Sequence, residues 1–272
     1  MKYLFVIYVL TMFFACAPRP KGDNANNNHS LTDSSLGITP PTKADTTNLE
    51  SNNSNKFQAS TYDNPQFATK LTSQKESLQR LSDKGVFTSI NNKLVSILVA
   101  NQKEYFKAKP DIKLLAIAKG DLFQNNKDDY AFVVYDTRNQ SISILTFNAQ
   151  TKKYLKLFRE LKIENGLESA DCNYGAFGTL DYQLADEIVY QEESLTKNPE
   201  SYLESTPCKI TDLSKDSDFV LKSGCFSKKI SKTNLSNSLC ISTSSVYNNW
   251  ECLKYEKATK TFLIYYGQAF AD

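Results

Sequence analysis

The chain has 272 residues, of which 40% are hydrophobic, and its 32 lysines and arginines nearly balance its 30 aspartates and glutamates, for a net charge of +2. This content is enough for one good hydrophobic core or two small ones. Basic residues cluster only as pairs, such as Lys152 with Lys153 and Lys228 with Lys229. A surface for nucleic acid needs a basic patch or stripe, so we expect no nucleic-acid partner.

The first residues, MKYLFVIYVLTMFFAC, have the layout of a secretory signal. Lys2 gives a positive start, residues 3–14 form an apolar stretch, and Ala15 is a small residue at a plausible cleavage point. The stretch is too short to span about 30 Å of hydrocarbon as a helix. We therefore predict a signal peptide over residues 1–15.

Cys16 follows Phe13, Phe14 and Ala15, and this arrangement resembles the lipobox of bacterial lipoproteins. The usual lipobox has Leu where Phe13 stands and a small residue where Phe14 stands. The resemblance implies that Cys16 becomes the lipidated first residue of the mature chain. The protein would then be anchored through lipid to a membrane of the bacterial cell envelope, in the outer membrane or facing the periplasm. The alternatives are an ordinary signal peptide that contains a cysteine and an uncleaved anchor.

The segment 16–56 continues with a polar stretch of Asn, Ser, Thr, Asp, Pro and Gly with scattered charge. Such a segment buries too little apolar area to offset its ordering entropy, so we expect a disordered tether. About forty flexible residues reach about 35 Å on average. The tether would lift a folded domain away from the lipid or let it reach through a neighbouring layer.

Helical spacing characterises the next segment, residues 57–110. Asn64 before Pro65 is a good N-cap and first-turn pair. Gly85 should end the first helix, and Thr88 or Ser89 should cap a second. A strand over residues 94–99 is the alternative for part of the second helix, because that part contains β-branched residues. The apolar positions that define the two helical faces are Phe67, Leu71, Leu78 and Leu81 in the first, and Ile90, Leu94, Ile97, Leu98 and Tyr105 in the second.

After Pro110 the pattern changes to short β-rich runs separated by polar turns, which indicates antiparallel strands. Residues 112–118, 130–135, 141–147 and 154–161 read as four consecutive strands of a meander.

Two internal similarities occur in this part of the chain. Residues 145–158 align without gaps on residues 253–266, as two apolar strands around a Thr-Lys turn. More weakly, residues 120–135 resemble residues 178–193, with Gly, Leu and a late acidic pair at the same offsets. These matches predict two to three copies of a unit of about 50 residues.

The stretch GDLFQNNKDDYAFVV resembles the GDLNGDGKDDLVVV signature of FG-GAP and VCBS-type repeats, which build β-propeller blades in integrin-like and bacterial surface proteins. Asn125 stands in for the middle Asp of the signature, whereas Phe123, Gln124 and Asn126 depart from it. The residues that match are Gly120, Asp121, Leu122, Lys127, Asp128 and Asp129.

This resemblance implies a mainly β (α+β) fold, in which two N-terminal helices precede an antiparallel, propeller-blade-like β-meander assembly over residues 111–272. Closed propellers need about four to eight blades, so we expect an open or irregular assembly. The helices would shield one exposed sheet edge.

The same family often binds calcium in this turn. The corresponding oxygen donors here are Asp121, Asn125, the carbonyl of Lys127, and Asp129, whereas Phe123 supplies none. We therefore expect no cofactor and predict a structural turn in which Asp121 and Asn125 bond to nearby backbone amides. The alternative is weak calcium binding, in which water would have to complete the shell.

Catalytic residues are not apparent. His29 is the only histidine and lies in the predicted tether, so the remaining chain has no imidazole for a nucleophilic triad or a zinc site. Adjacent acids occur at Asp128–Asp129, Asp186–Glu187 and Glu192–Glu193. Neighbouring residues on a strand point to opposite faces, so we predict no enzyme, with a hydrolase that uses paired carboxylates as the alternative.

Five cysteines follow Cys16, and an exported protein meets an oxidising compartment that favours disulfides. Because the number is odd, at least one thiol stays free or pairs between chains. The first choice for a bridge is Cys240–Cys252, on neighbouring predicted strands, and the second is Cys172–Cys208. The remaining cysteine is Cys225.

An aromatic cluster near the C-terminus could stack on carbohydrate, or half of its rings could fill the sheet core. We therefore predict a non-catalytic envelope lipoprotein whose folded part binds an envelope protein or a glycan. The rings of this cluster are Tyr247, Trp250, Tyr255, Phe262, Tyr265 and Tyr266.

Overall fold

Residues 60–166, 180–215, 231, 235–244 and 249–268 are described by a computed structural model. The predicted signal peptide, Cys16 and the tether lie outside these ranges, and the described residues all belong to one compact unit, Asn48–Asp272. The helices in these ranges include none with the length and apolar character needed to cross a bilayer. Their bounds are α1 Ala68–Asp83, α2 Val86–Ile97, α3 Ala100–Lys107, α4 Leu180–Tyr190 and α5 Glu192–Lys197, with 3-10 turns at Thr61–Asp63, Pro65–Phe67 and Pro199–Glu204.

The first helix begins as its sequence predicts. The Asn64 side chain accepts a hydrogen bond from the Gln66 backbone N–H, and Pro65 opens a 3-10 turn that leads into α1. Gly85 adopts a left-handed backbone with φ +74° and open space around it. The chain turns there and α2 starts at once with Val86, so the prediction of a cap at Thr88 or Ser89 was wrong.

The second predicted helical face is divided between α2 and α3. Leu98 and Val99 have extended backbones, with ψ values of 155° and 160°, and they separate the two helices. Leu98 is buried while Ile97 is 72% exposed, so the two residues do not share a face. The alternative of a strand over residues 94–99 was also wrong, because residues up to Ile97 are helical.

The four predicted strands form the first sheet, an antiparallel meander with the order β1-β2-β3-β4. Its strands are β1 Ile112–Gly120, β2 Asp129–Asp136, β3 Ser141–Asn148 and β4 Lys153–Lys156. The fourth strand is shorter than predicted, because it ends at Lys156 and a turn follows it rather than a strand up to residue 161. Helix α2 covers the open edge of β1, where the Asn91 Oδ1 atom accepts the backbone N–H of Leu114 at 2.9 Å. One N-terminal helix therefore does shield a sheet edge.

The second sheet has the order β5-β9-β8-β7-β6, and its neighbours are antiparallel except for β5 and β9, which are parallel. Its strands are β5 Ile163–Asn165, β6 Cys208–Thr211, β7 Ser238–Ser244, β8 Asn249–Glu256 and β9 Thr261–Gln268. The two sheets approach each other closely at Gly120, where an added Cβ atom would lie 2.6 Å from the Ile210 Cγ2 atom.

The alignment of residues 145–158 with residues 253–266 corresponds to two hairpins of one design, β3–β4 and β8–β9. Each has a four-residue turn whose last residue, Lys152 or Lys260, has a positive φ of 57° or 58°. The β2–β3 hairpin has the same form, with Gln140 at φ 50°. Before the β2–β3 and β3–β4 turns, Asp136 and Asn148 accept backbone N–H groups of the turn.

The weaker similarity was misleading, because most of residues 178–193 form helix α4 rather than a strand. Leu184, Ala185 and Ile188 are buried along one side of α4, at helical spacing. Helices make up about 38% of the structure and strands about 33%. The fold is therefore α+β, not mainly β, and the described residues contain no closed propeller.

One large core lies where α1, α2 and α4 pack with both sheets, and it contains residues such as Leu81, Ile144 and Leu253. A second cluster lies on the opposite face of the first sheet, beneath α3. A third, smaller cluster surrounds Cys240 and Cys252 on the opposite face of the second sheet.

Candidate functional site: the acidic turn and the aromatic face

The acidic turn, residues 121–129, connects β1 to β2. Its last residue, Asp129, is also the first residue of β2 and is fully buried. Its Oδ2 atom accepts the backbone N–H of Phe123 at 2.8 Å. Its Oδ1 atom accepts the backbone N–H of Ala149 at 2.8 Å and the Asn125 side-chain amide at 3.1 Å. The Asp129 carboxylate thus connects the acidic turn to the β3–β4 turn through hydrogen bonds.

The other predicted calcium ligands also accept internal hydrogen bonds. Asp121 Oδ1 accepts the backbone N–H groups of Asn125 and Asn126, at 2.6 and 3.0 Å. Asn125 Oδ1 accepts the N–H of Lys127, whose carbonyl accepts the N–H of Asp129. The four predicted ligand residues are therefore close together, in an arrangement that fits a structural Asx-type turn. The structural turn stays the prediction, and weak calcium binding stays the alternative.

Phe123, where the family signature has Asn, carries out a structural role instead. Its ring is 5% exposed and meets the rings of Tyr255 and Phe262 edge to face, with centroids 5.1 and 5.7 Å apart. The neighbouring Gln124 donates its side-chain amide to the Tyr255 carbonyl at 2.7 Å, and Lys257 donates to the Gln124 carbonyl. The acidic turn therefore joins the first sheet to the β8–β9 hairpin.

The cysteine predictions are partly confirmed. Cys240 and Cys252 are direct cross-strand partners on β7 and β8, with Cα atoms 4.1 Å apart, and they form a disulfide. Cys208 is instead a free thiol buried on β6, so its predicted bridge with Cys172 is not formed. Burial in the apolar core raises the pKa of the Cys208 thiol to about 12, which makes it unreactive. Cys172 and Cys225 lie outside the described residues.

The predicted C-terminal aromatic cluster does not form one surface. Tyr255 and Phe262 pack in the large core, whereas Trp250 and Tyr265 pack around the disulfide on the other face of the same sheet. This arrangement matches the core-filling interpretation. Tyr247 and the side chain of Tyr266 lie outside what the structure describes.

A different set of rings gathers on the face of the first sheet that α3 covers, which we call the aromatic face. Tyr105 of α3 stacks on Tyr154 of β4 with centroids 3.6 Å apart. Tyr154 also contacts Phe147 at 4.7 Å, and Tyr130 lies parallel to Phe132 at 5.8 Å. The six rings of the aromatic face are Tyr105, Phe106, Tyr130, Phe132, Phe147 and Tyr154.

Polar atoms without hydrogen-bond partners accompany these rings. They are Gln102 Nε2 on α3, Ser143 Oγ on β3 and Tyr154 Oη on β4, each buried and without a partner in the described chain. Ser143 shares the face of Phe147 because alternate residues of a strand point to one side. Burial raises the pKa of Tyr154 to about 12. Sequence reasoning missed this face, since only the fold brings α3 over β2, β3 and β4.

The acids of two adjacent pairs have separate partners. Asp128 is exposed and pairs with Lys119 at 2.8 Å, whereas Asp129 is buried in the turn. Glu192 pairs with Arg80 of α1 at 2.9 Å, while Glu193 pairs with Lys197 one turn along α5. Within the described ranges, no three His, Cys, Asp or Glu side chains come together in a group that could hold a metal ion.

Two of the buried acids that the sequence did not predict have raised pKa values. Asp181, at the start of α4, accepts hydrogen bonds from the Ser60 hydroxyl and from the Thr61 backbone N–H. Burial raises the pKa of Asp181, although these hydrogen bonds act in the opposite direction. Glu251 on β8 is 4% exposed, and burial raises its pKa to about 8.

Glu251 predicts a specific pH dependence of stability. The unfolded chain releases this proton near the ordinary pKa of 4.5 and the folded chain near 8. The stabilisation by the bound proton is thus complete below pH 4.5 and is lost as the pH rises to about 8. As the pH rises from 5.5 to 8, the melting temperature of Glu251→Gln should therefore fall less than that of wild type.

Thermal melts at several pH values test this expectation, with the exposed Glu193→Gln as the matched control. A wild-type profile that runs parallel to that of Glu251→Gln would show that Glu251 stays ionised in the folded protein.

Comparison with known proteins adds no relative, because the chain matches no protein-family model, no curated protein and no solved structure. Function is therefore inferred from the residues and their geometry.

Proposed function

We propose that this chain is a non-catalytic, lipid-anchored protein of the bacterial cell envelope, whose α+β domain binds an envelope protein or a glycan. The observation that carries the proposal is the N-terminal sequence. A short apolar stretch ends at Cys16, and a long polar segment separates that cysteine from the folded domain. A lipid anchor attaches a protein to one membrane, and a long tether keeps its folded domain at a distance from the membrane surface.

The junction between tether and domain supports this organisation. Ser60 and Thr61, the first described residues, are bonded to the buried Asp181 of α4. Next to them, the Tyr62 hydroxyl donates to Gln74, whose amide donates to the Tyr182 carbonyl at 3.0 Å. These contacts hold residues 60–62 against α1 and α4, and a tether attached before them would be linked to a firmly held part of the domain.

The finer form of the fold belongs to the same proposal. A propeller blade is a four-stranded antiparallel sheet, and the β1–β4 meander has that number and order of strands. The acidic turn with the FG-GAP-like sequence joins β1 to β2. We therefore regard the first sheet as one blade-like unit derived from such repeats, which packs against helices and a second sheet rather than against further blades.

A non-catalytic role is favoured over the alternative of a hydrolase. A glycosidase needs two carboxyl groups that face each other at about 5 to 10 Å. In the pairs Asp128–Asp129 and Glu192–Glu193, the carboxylates are engaged with lysines, arginine or backbone amides. The geometry of these pairs therefore suits solvated or structural acids.

Replacing the anchor cysteine tests the localisation. In the native host, Cys16→Ser should move the protein from the membrane fraction to the soluble fraction, because the thiol that carries lipid is lost. Fractionation followed by immunoblotting measures the distribution, with Cys208→Ala as a control that removes a buried thiol. Continued membrane association of Cys16→Ser would place the anchor elsewhere.

The binding role needs a separate experiment. Crosslinking in intact cells, followed by identification of the attached protein or glycan, should recover the same partner repeatedly with wild type. A control lipoprotein with a known partner shows that the crosslinking works. If the control captures its partner and this protein captures none, the result argues against a binding module.

A further inference from the structure

We infer that a surface of exposed lysines, which we call the lysine end, binds an anionic polysaccharide. The lysine end consists of three neighbouring turns: the acidic turn, the β3–β4 turn and the β8–β9 turn. This inference rests on the proposed binding role and specifies its ligand by chemistry, as a sugar polymer with carboxylate, sulfate or phosphate groups along its length. The exposed lysines of the lysine end are Lys127, Lys152, Lys153, Lys257 and Lys260.

Hydrogen bonds between the turns bring these lysines together. Asp129 of the acidic turn accepts the backbone N–H of Ala149 in the β3–β4 turn at 2.8 Å. On its other side, the Gln124 side-chain amide donates to the Tyr255 carbonyl at 2.7 Å, and the Lys257 ammonium donates to the Gln124 carbonyl at 3.1 Å. Lysines from distant parts of the sequence therefore lie on adjoining turns. The sequence by itself shows only isolated basic pairs.

Neighbouring carboxylates do not neutralise the lysine end. Two further lysines close to these turns have acidic partners, Lys119 with Asp128 at 2.8 Å and Lys254 with Glu256 at 3.6 Å. Within the described ranges, the five lysines of the lysine end form no ion pair. The remaining two carboxylates of the acidic turn accept backbone N–H groups. This surface therefore keeps an excess of positive charge.

Both hairpin turns of the lysine end place a lysine where the backbone suits another residue. Lys152 and Lys260 have φ values of 57° and 58°, a left-handed conformation that Gly and Asn adopt more easily. The equivalent residue of the β2–β3 turn is the uncharged Gln140, and the cation of that turn, Arg138, pairs with Asp111. Unpaired positive charge is thus a property of the lysine end and not of these hairpins in general.

The tether enters the domain away from the lysine end. Asp63 pairs at 2.9 Å with Arg159, which follows β4, and the Gln140 amide of the β2–β3 turn donates to Gln79 of α1. Because the first sheet is antiparallel, the β2–β3 turn and the residues after β4 lie at the opposite end from the acidic turn and the β3–β4 turn. A tether attached before Ser60 therefore does not begin beside the five lysines.

The composition of the lysine end favours a polysaccharide over a folded protein. Centres of protein interfaces are enriched in aromatic residues and poor in lysine. The exposed large hydrophobic residues of the described ranges, Ile97, Val99 and Tyr190, all lie outside these turns. Lysine binds anions as a flexible point charge with three donors, which suits charges repeated along a polymer. Exposed amide and hydroxyl side chains that can bond to sugar hydroxyls accompany the lysines, at Asn126, Gln150, Thr151 and Thr259.

Binding of fluorescent carboxymethyl dextran to the mature protein in neutral detergent tests this inference, with uncharged dextran of the same length as the comparison. Wild type should bind only the charged polymer, and less tightly as salt rises from about 50 to about 300 mM, because salt screens exposed charges. Lys152→Asn combined with Lys260→Asn should weaken binding about fivefold, through the loss of two surface ion pairs. Because Asn adopts a left-handed backbone, the melting temperature should not fall.

Lys70→Gln combined with Lys103→Gln is the matched control, because it removes two exposed lysines of α1 and α3 that lie outside the three turns. This variant should bind carboxymethyl dextran as wild type does. An equal loss of binding in both double variants would show attraction to net charge alone and overturn the site. Polyglutamate of equal charge should bind less tightly, since it lacks hydroxyls; tighter binding of polyglutamate would overturn the choice of a polysaccharide.

The remaining outcomes distinguish this inference from the proposed function. No binding of carboxymethyl dextran, or equal binding of uncharged dextran, overturns the lysine end as an anion-binding surface. If crosslinking in cells then captures a protein or an uncharged glycan, the proposed binding role stands with a different surface. If crosslinking also recovers nothing, both the inference and the proposed binding role are wrong.

Discussion

Replacing Phe123 by alanine is expected to lower the free energy of unfolding by about 3 to 5 kcal/mol, the usual cost of removing a buried aromatic ring. The ring is almost fully buried and packs on Tyr255 and Phe262 of the β8–β9 hairpin. Its removal leaves a cavity where the acidic turn meets the second sheet. Urea denaturation followed by circular dichroism measures the loss.

Phe123→Asn adds a second comparison, because Asn stands at this position in the FG-GAP signature that the turn resembles. This variant should be at least as unstable as Phe123→Ala, since it buries an amide in an apolar site. Tyr190→Ala, on an exposed part of α4, should change stability by less than about 0.5 kcal/mol. A loss of under about 1 kcal/mol for Phe123→Ala would contradict the packing between the turn and the second sheet.

The second large effect is expected for Asp129→Ala, which should cost about 3 kcal/mol or more. The substitution removes an acceptor from three donors, and the two backbone N–H groups among them are left without their partner. Asp128→Ala is the matched control, because the neighbouring acid is exposed and forms a surface ion pair with Lys119. Such pairs contribute about 0 to 1 kcal/mol.

The same variants decide between the structural turn and the calcium site. Melting curves of wild type with excess calcium and with chelator should coincide if Asp121, Asn125 and Asp129 only bond to amides. A calcium-dependent rise of several degrees in wild type that is absent in Asp129→Ala would establish a metal site and reject the structural interpretation.

The parts of the fold that the sequence predicted are those specified by local patterns. Alternation of apolar residues located β1, β2 and β3, and the Asn64–Pro65 pair located the start of the helical segment. The polar turns gave the right order of the meander. Helix α4 was not predicted, because Leu180 and the acidic residues of α4 have the same spacing as the matching residues of the acidic turn. The helical spacing of Leu184 and Ile188 is the pattern that indicates a helix there.

The candidate sites, like the fold, were predictable only where a short stretch of sequence specifies them. The acidic turn was predicted, because its residues are neighbours in the chain and resemble a repeat signature. The role of Phe123 was not found, since it depends on Tyr255 and Phe262, more than a hundred positions away. The aromatic face depends on contacts between α3 and the strands β2 to β4, which no short stretch of sequence contains.

The parallel pairing of β5 with β9 has a consequence for the order of folding. The first sheet uses only strands that follow one another along the chain, so it can form while later residues are still being synthesised. The second sheet requires its last strand, residues 261–268, both to pair with β8 and to bond β5. The second sheet therefore cannot be completed until nearly the whole chain has been synthesised.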